Sequence, residues 1–183
     1  EAQPLGTAGS VKNAAGQIGE DLLVISGAAL CDFSLREAMD QHAARCADVT
    51  IVTAHVGDPR EYGLVIADSD GHVTGFIEKP SFAQATSELA NTGIYILSPH
   101  AVEMIPDGQI FDFAADLFPR MLEKGMAVDC CTLSGYWCDI GDLEAYRRAQ
   151  ADLLAGRVDA TLRGQRDESG SVFAARRPSG RYE

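Results

Sequence analysis

Short apolar runs alternate with amphipathic stretches along the first third of the chain. Residues 21–26 form an apolar run that predicts a buried strand. Ser34 and Glu37 have the spacing of a capping box, and apolar residues then recur at helical spacing as far as Cys46. Residues 49–54 are apolar and β-branched, which indicates a second strand. Strand, helix and strand in this order predict a parallel, right-handed crossover and an α/β fold.

The middle of the chain has a different pattern. Residues 62–67 and 72–77 are two strand-like runs joined by a turn of Asp, Ser and Gly, which predicts a hairpin. Antiparallel strands are therefore expected to join the parallel ones. Further strands are predicted at 94–97, 128–133 and 136–139, and further helices from Ser98, over 112–124 and from Asp142 to Gly156.

The charge balance excludes several classes of partner. The 183 residues include 15 Lys and Arg against 27 Asp and Glu, which gives a net charge of −12. This balance argues against nucleic acid and anionic membranes as partners. No apolar run approaches the roughly 20 residues of a transmembrane helix. The five cysteines have no C-x-x-C spacing, so we predict free thiols, a reducing compartment and a cytoplasmic protein.

The charge is unevenly distributed along the chain. Residues 157–183 carry six Arg and four acidic side chains, whereas the acidic excess lies entirely in residues 1–156. Residues 157–183 also show little apolar periodicity. We therefore predict one domain over 1–156, followed by a linker or the start of a further module over 157–183.

The small residues at positions 4–10 predict a loop that leads into a helix ending near Ala15. Small side chains let backbone N–H groups approach a ligand closely, and a helix N-terminus favours anions or a nucleotide. An ordinary surface turn is the alternative interpretation.

Glu78-Lys79-Pro80 follows the second hairpin strand. The carboxylate would accept hydrogen bonds from sugar hydroxyls, and the ammonium group would neutralise a phosphate. A solvated surface pair is the alternative. Asn91-Thr92-Gly93 offers amide, hydroxyl and bare backbone before the strand at 94–97, although a simple turn explains it equally well.

Asp139 stands at the end of an apolar strand, just before a helix. Carboxylate oxygens are hard ligands that suit Mg²⁺, which also binds substrate phosphates. A cap on neighbouring backbone is the alternative role.

The order of these motifs resembles the sugar-1-phosphate nucleotidylyltransferases, and most closely their bacterial mannose-1-phosphate guanylyltransferase group. The matching segments are 4–9, 62–65, 75–80, 91–95, 111–113 with 116–119, and 135–146. The resemblance implies a Rossmann-like nucleotide-diphosphosugar transferase fold, with a mixed, mostly parallel sheet and helices on both faces. It also implies that residues 157–183 lead towards a left-handed β-helix.

The resemblance further implies a reaction and its site. A nucleoside triphosphate, with GTP favoured, and a hexose 1-phosphate, with mannose 1-phosphate favoured, would give a nucleotide sugar and pyrophosphate. Lys79 and Asp139 would be catalytic, with Asp139 holding Mg²⁺. The implied nucleotide-binding residues are Glu1, Leu5, Gly6, Thr7, Ala8 and Gly9. The implied sugar-phosphate-binding residues are Tyr62, Gly63, Glu78, Lys79, Asn91, Thr92 and Gly93. A homo-oligomer is compatible with this family.

Two departures from the family pattern limit the expected activity. The strand, Gly-rich loop and basic residue with which the family begins do not precede Glu1, so we expect a fragment that is inactive by itself. Ala28 stands where the family has a metal-binding Asp. Asp32 is a candidate substitute, although the family pattern favours a role in fixing the local turn. A catalytically silent, sugar-nucleotide-binding regulatory subunit therefore remains the alternative to an enzyme.

Overall fold

The computed structural model describes residues 3–15, 19–81, 86–160, 165–166, 168 and 172–173. The chain divides into two units. The first combines residues 1–27 with 34–134, and the second combines 28–33 with 135–183. This division differs from the predicted boundary at Gly156, which stays a prediction.

Strands occur singly and in consecutive groups between the helices. The strands are β1 (Leu22–Ile25), β2 (Ala29–Cys31), β3 (Val49–His55), β4 (Gly63–Ala67), β5 (Val73–Glu78), β6 (Leu89–Leu97), β7 (Val128–Thr132), β8 (Trp137–Asp139), β9 (Gln165–Arg166) and β10 (Val172–Phe173). The α-helices are α1 (Gly6–Ala15), α2 (Leu35–Arg45), α3 (Pro99–Glu103), α4 (Phe118–Glu123) and α5 (Leu143–Leu154). Pro59–Glu61 forms a 3₁₀ turn, and Phe113–Leu117 forms a π-helical turn. None of the helices in the described part combines the length and apolar character needed to cross a membrane.

The first unit contains a mixed six-stranded sheet with the order β5-β4-β6-β3-β7, and β1 also pairs with β6. The strands β1, β3, β4 and β7 run in one direction, and β5 and β6 run in the other. The predicted α/β fold and mixed sheet are confirmed. The pairing, however, is mostly antiparallel: β6 lies between β1 and β3, so only β3 and β7 form a parallel pair in the described sheet.

Helices cover both faces of this sheet, as predicted. On β3, Val49 and Ile51 belong to the buried cluster that contains Phe118 of α4. Successive strand residues point to opposite faces, so Thr50 faces the other side. There its hydroxyl lies 2.8 Å from Nδ1 of the buried His42 on α2.

The β4–β5 hairpin is fixed at its tip to the strand β7. Cys130 N donates to Gly71 O at 2.8 Å. The buried carboxylate of Asp129 lies 2.5 Å from His72 Nδ1 and accepts from Arg45 Nε at 2.6 Å. This ion-pair cluster holds one end of the hairpin, and the opposite end carries Glu78.

The second unit is built on the antiparallel pair of β2 and β8, with Ala29 opposite Asp139. The predicted cap of α5 is confirmed, because Asp142 Oδ1 accepts from Ala145 N at 2.7 Å. The strand β2 was not predicted, because it has only three residues. Beyond the predicted boundary the chain remains packed within this unit, since Val158 is buried.

Two predicted boundaries are wrong. The loop predicted over 4–10 is helical from Gly6 onward, and the strand predicted to begin at Ile94 begins at Leu89. Both differences arise from glycines that signal turns in a sequence but pack within regular elements here.

Candidate functional site

The candidate site lies where β6 changes its neighbour. On one edge, β6 pairs with β4 at Ala90 and with β1 from Ile94 onward. On its other edge, the register with β3 shifts between Val52 and Thr53. Residues 91–93 therefore form a bulge at the carboxyl end of β1, and a break of this kind in an α/β sheet is a typical ligand position.

Hydrogen bonds and a glycine hold this bulge. Thr92 is buried, and its hydroxyl donates to Val52 O at 2.7 Å. Gly93 has φ of +74°, and a Cβ there would lie 2.9 Å from Ser26 Cβ. Asn91 Oδ1 accepts from Gly93 N at 3.1 Å. The turn that was the alternative interpretation of 91–93 is thus a bulge inside a continuous strand.

A cleft of about 470 Å³ opens beside the bulge, and we call it the Glu78 cleft. Its lining residues are Gly63, Leu64, Phe76, Ile77, Glu78, Asn91, Asp112, Ala114, Ala115 and Pro119. Gly63 and Glu78 are opposite each other in the hairpin register. A Cβ on Gly63 would lie 2.7 Å from Glu78 Oε2, so the carboxylate occupies the space that glycine leaves. Three predicted sugar-phosphate residues, Gly63, Glu78 and Asn91, therefore meet in one cleft.

The other predicted sugar-phosphate residues lie near this cleft along the chain but do not line it. Lys79 follows Glu78 directly and is exposed. Its φ of +40° is a left-handed conformation that non-glycine residues rarely adopt. Such local strain is often found at functional positions. Tyr62 ends the 3₁₀ turn that precedes β4, and Thr92 points into the protein interior.

A second cleft of about 440 Å³ shares Asp112 and Ala114 with the first, and we call it the Ser26 cleft. It is lined by Thr7, Val11, Val24, Ile25, Ser26, Gly93, Tyr95, Asp112, Phe113 and Ala114. Burial raises the pKa of the Tyr95 phenol to about 12, despite a side-chain hydrogen bond with Asn91 that lowers it. Tyr95 is therefore a neutral hydroxyl at physiological pH.

The predicted nucleotide-binding residues surround the start of α1. Ala8 N and Gly9 N both donate to Phe111 O at 3.0 Å. A Cβ on Gly6 would lie 2.6 Å from the same oxygen, and one on Gly9 would lie 2.5 Å from Gln109 O. The small residues thus allow close approach of the chain's own backbone. The first-turn N–H groups of Ala8 and Gly9 already have an acceptor.

The remaining predicted nucleotide residues are placed differently. Leu5 is buried, and its carbonyl accepts from Phe111 N at 2.9 Å. Thr7 is the member of this group that lines the Ser26 cleft. Glu1 lies outside the described residues. A nucleotide role for this group stays a prediction.

In the second unit, Asp139 is exposed at the end of β8, with Ala29 opposite it. Ile140 N donates to Ala28 O at 2.8 Å, so Ala28 lies beside the same strand end. Asp32 Oδ1 accepts from Tyr136 N at 2.6 Å, and Oδ2 accepts from Asp159 N at 2.8 Å. Asp32 therefore fixes local backbone, as the family pattern implies. Among the described residues, no three His, Cys, Asp or Glu side chains are grouped as metal ligands.

Asp112 lines both clefts, although it was predicted only as the start of a helix, within a segment that matches the family. It begins the π-helical turn, and its Oδ1 accepts from Ala114 N and Ala115 N at 2.9 and 3.0 Å. An Asp ahead of an apolar helical stretch signals a cap, but that signal does not reveal a position between two clefts.

Comparison with known proteins identifies relatives of this chain. A family model described as nucleotidyl transferase matches residues 1–156. The mannose-1-phosphate guanylyltransferase of Mycobacterium tuberculosis is 34% identical over 92% of this chain and 47% of its own length. The UTP–glucose-1-phosphate uridylyltransferase of Synechocystis is 35% identical over 76% of this chain and 36% of its own length. The chain thus spans less than half of these curated relatives.

The solved structures support the same fold. HddC from Yersinia pseudotuberculosis superposes with a TM-score of 0.72 at 30% identity, over 84% of this chain and 64% of that one. Its complex with GMP-PN superposes with a TM-score of 0.71. The predicted Rossmann-like nucleotidyltransferase fold is confirmed.

Proposed function

This chain belongs to the nucleotidyl transferase family, and from that premise we propose that the protein transfers a nucleotidyl group to a hexose 1-phosphate. We propose GTP as the favoured donor and mannose 1-phosphate as the favoured acceptor. The guanylyltransferase relative supports both choices, whereas the uridylyltransferase relative of similar identity supports only the reaction class.

The observation that carries this proposal is the meeting of Gly63, Glu78 and Asn91 in the Glu78 cleft. The carboxylate of Glu78 can accept hydrogen bonds from sugar hydroxyls, and an amide can donate to them. Lys79 follows at once in a strained conformation, where its ammonium group would pair with the sugar phosphate. A volume of about 470 Å³ is sufficient for a small polar ligand.

The reaction needs little covalent work from the protein. A phosphate oxygen of the sugar 1-phosphate attacks the α-phosphorus of the triphosphate and forms a new P–O bond. The bond from the α-phosphorus to the oxygen that bridges to the β-phosphate breaks, and pyrophosphate leaves with its electron pair. The residues contribute positioning and charge neutralisation. Glu78 and Asn91 would orient the sugar, and Lys79 would offset the charge of its phosphate.

We propose Mg²⁺ as the cofactor, with Asp139 as its carboxylate ligand from this chain. Mg²⁺ commonly binds through one or two carboxylates together with substrate phosphates, and the exposed Asp139 fits the single-carboxylate mode. When bound, the ion would neutralise phosphate charge. Ala28 has no carboxylate, and each carboxylate oxygen of Asp32 accepts a backbone N–H group, which favours its role in fixing the local turn.

Ala28 also supports a second candidate function. If a single metal carboxylate does not support the reaction, the protein would bind nucleotide sugar without making it and would act as a catalytically silent regulatory subunit. This alternative keeps the Glu78 cleft as a binding site.

The two functions are separated by pyrophosphate release from GTP and mannose 1-phosphate with Mg²⁺. The assay uses the full-length protein with Ala28, with Ala28→Asp, and with Asp139→Asn as the control that removes the proposed ligand. Turnover in the Ala28→Asp variant alone would support the transferase function and the loss of a metal carboxylate at position 28. Equal turnover in the Ala28 protein and the Ala28→Asp variant would support an enzyme that works with the carboxylate of Asp139 alone. If neither of these two proteins releases pyrophosphate but both still bind GDP-mannose, the regulatory subunit is favoured. If they neither release pyrophosphate nor bind GDP-mannose, the two proposed functions are rejected.

A further inference from the structure

The hydroxyl of Thr7 makes two hydrogen bonds whose directions can be assigned. Phe113 N lies 3.1 Å from Thr7 Oγ1, and a backbone amide can only donate. The hydroxyl proton is therefore left for Asp112 Oδ2, which lies 2.6 Å away. Thr7 thus donates to Asp112 and fastens the first turn of α1 to the π-helical turn.

Asp112 contributes a negative charge to both clefts. Among the described residues that line the Ser26 cleft, it is the one with a charged side chain, and it also lines the Glu78 cleft. Its Oδ1 accepts two backbone N–H groups, from Ala114 and Ala115, and its Oδ2 accepts from Thr7. Three donors of the chain itself therefore offset this charge.

A carboxylate in the wall of a cleft repels phosphate-bearing ligands. The repulsion weakens when hydrogen-bond donors point the positive ends of their N–H and O–H bonds at the carboxylate. We propose that Thr7 and Asp112 are a positioning pair. Thr7 keeps the Asp112 carboxylate fully hydrogen-bonded to donors of the chain itself, so that phosphate-bearing ligands can bind in the two clefts. This inference rests on the proposed function, because it assumes that such ligands enter these clefts.

The test compares a charged ligand with an uncharged analogue. Dissociation constants for mannose 1-phosphate and for methyl α-mannoside are measured by NMR titration of the full-length protein. Thr7→Val should reduce the preference for the phosphate about fivefold, because Asp112 Oδ2 then loses its donor and repels the phosphate more strongly. Thr7→Ser keeps the hydroxyl and should keep the preference.

A second substitution separates charge from packing. Asp112→Asn retains an acceptor for the backbone N–H groups and removes the charge, so it should restore the preference in the Thr7→Val protein. Asp112→Asn in the otherwise unaltered protein should raise the preference for mannose 1-phosphate over methyl α-mannoside. The matched control is Thr74→Val, since Thr74 is an exposed threonine on β5 whose hydroxyl donates to Ile66 O at 3.3 Å, outside both clefts.

Equal weakening of both ligands by Thr7→Val, without recovery on adding Asp112→Asn, would overturn the inference and leave a purely structural hydrogen bond. An unchanged preference in Thr7→Val would overturn it as well, while binding by the unaltered protein would leave the proposed function standing. Failure of the unaltered protein to bind either compound would reject the proposed function and this inference together.

Discussion

The two groups of predicted site residues both contain glycines, but the structure gives these glycines different neighbours. Gly6 and Gly9 lie against backbone carbonyls of residues 109–111. Gly63 lies against the carboxylate of Glu78, a side chain that lines a cleft. Packing of the fold therefore explains the first group without a ligand, whereas it leaves the polar lining of the Glu78 cleft unexplained. A small-residue motif indicates that another group comes close to the backbone, and only the structure shows whether that group is backbone or a side chain in a cleft.

The strongest test of this difference is Gly6→Ala. The new Cβ would lie 2.6 Å from Phe111 O, at a φ of +73° that favours glycine. We expect a loss of about 3 kcal/mol in the free energy of unfolding, from strain and overpacking together. Urea denaturation measures it. The matched control is Gly27→Ala, where a Cβ would meet nothing within 4 Å and the change should stay within about 0.5 kcal/mol. A stable Gly6→Ala protein that no longer binds GTP would mean that the space serves a ligand.

The second test removes the carboxylate from the other group. Glu78→Ala should weaken mannose 1-phosphate binding about 10- to 100-fold, because hydrogen bonds to a charged group are lost. The free energy of unfolding should change little, since Glu78 is exposed. Isothermal titration and urea denaturation measure the two effects. Glu88→Ala, at another exposed glutamate that does not line the Glu78 cleft, is the control and should leave binding intact. A large loss of stability with unaltered affinity would place Glu78 in the framework instead.

The fold was predictable wherever local signals and tertiary packing agree. The caps at Ser34 and Asp142 begin helices in the structure because their oxygens accept backbone N–H groups there. The strand order was not predictable, because β6 enters between β1 and β3 through pairings that are distant in sequence. Residues that form a β-bulge and residues that form a turn have the same composition, so Gly93 alone did not reveal the bulge.

The candidate site was predictable in part, for a related reason. Glu78 and Asn91 were selected through the family resemblance, and the structure brings both residues to one cleft. Asp112 was missed because its sequence signal is that of an ordinary cap, and its place between two clefts depends on the contact with Thr7, about a hundred residues earlier. Contacts of this separation leave no local pattern in the chain.

A third test asks whether strain accompanies function. Lys79 and Cys46 are the described non-glycine residues with positive φ, at +40° and +50°. Substitution by glycine relieves that strain, and the freedom of glycine in the unfolded chain offsets part of the gain, so each variant should gain about 0.5–1 kcal/mol. Lys79→Gly should also lose mannose 1-phosphate affinity, whereas Cys46→Gly, at the end of α2, should keep it. Equal affinity in both variants would show that the strained lysine has no part in the site.

The smallest expected effect concerns the sheet face opposite Tyr95, where His42 packs. Burial lowers the pKa of His42 below its ordinary value of 6.5, against the raising influence of Asp21, Asp129 and Asp48. Because the unfolded chain then binds the proton more readily, the contribution of His42 is present above about pH 6.5 and declines as the pH falls below that value. Urea midpoints at about pH 7.5 and about pH 5.5 should therefore differ more for the unaltered protein than for His42→Gln. Mannose 1-phosphate affinity should show no such difference between the two proteins, because His42 lines neither cleft. If His42→Gln instead removed a pH dependence of mannose 1-phosphate binding, the packing around His42 and the binding site would be coupled through the sheet. The expectation that the two are independent would then be wrong.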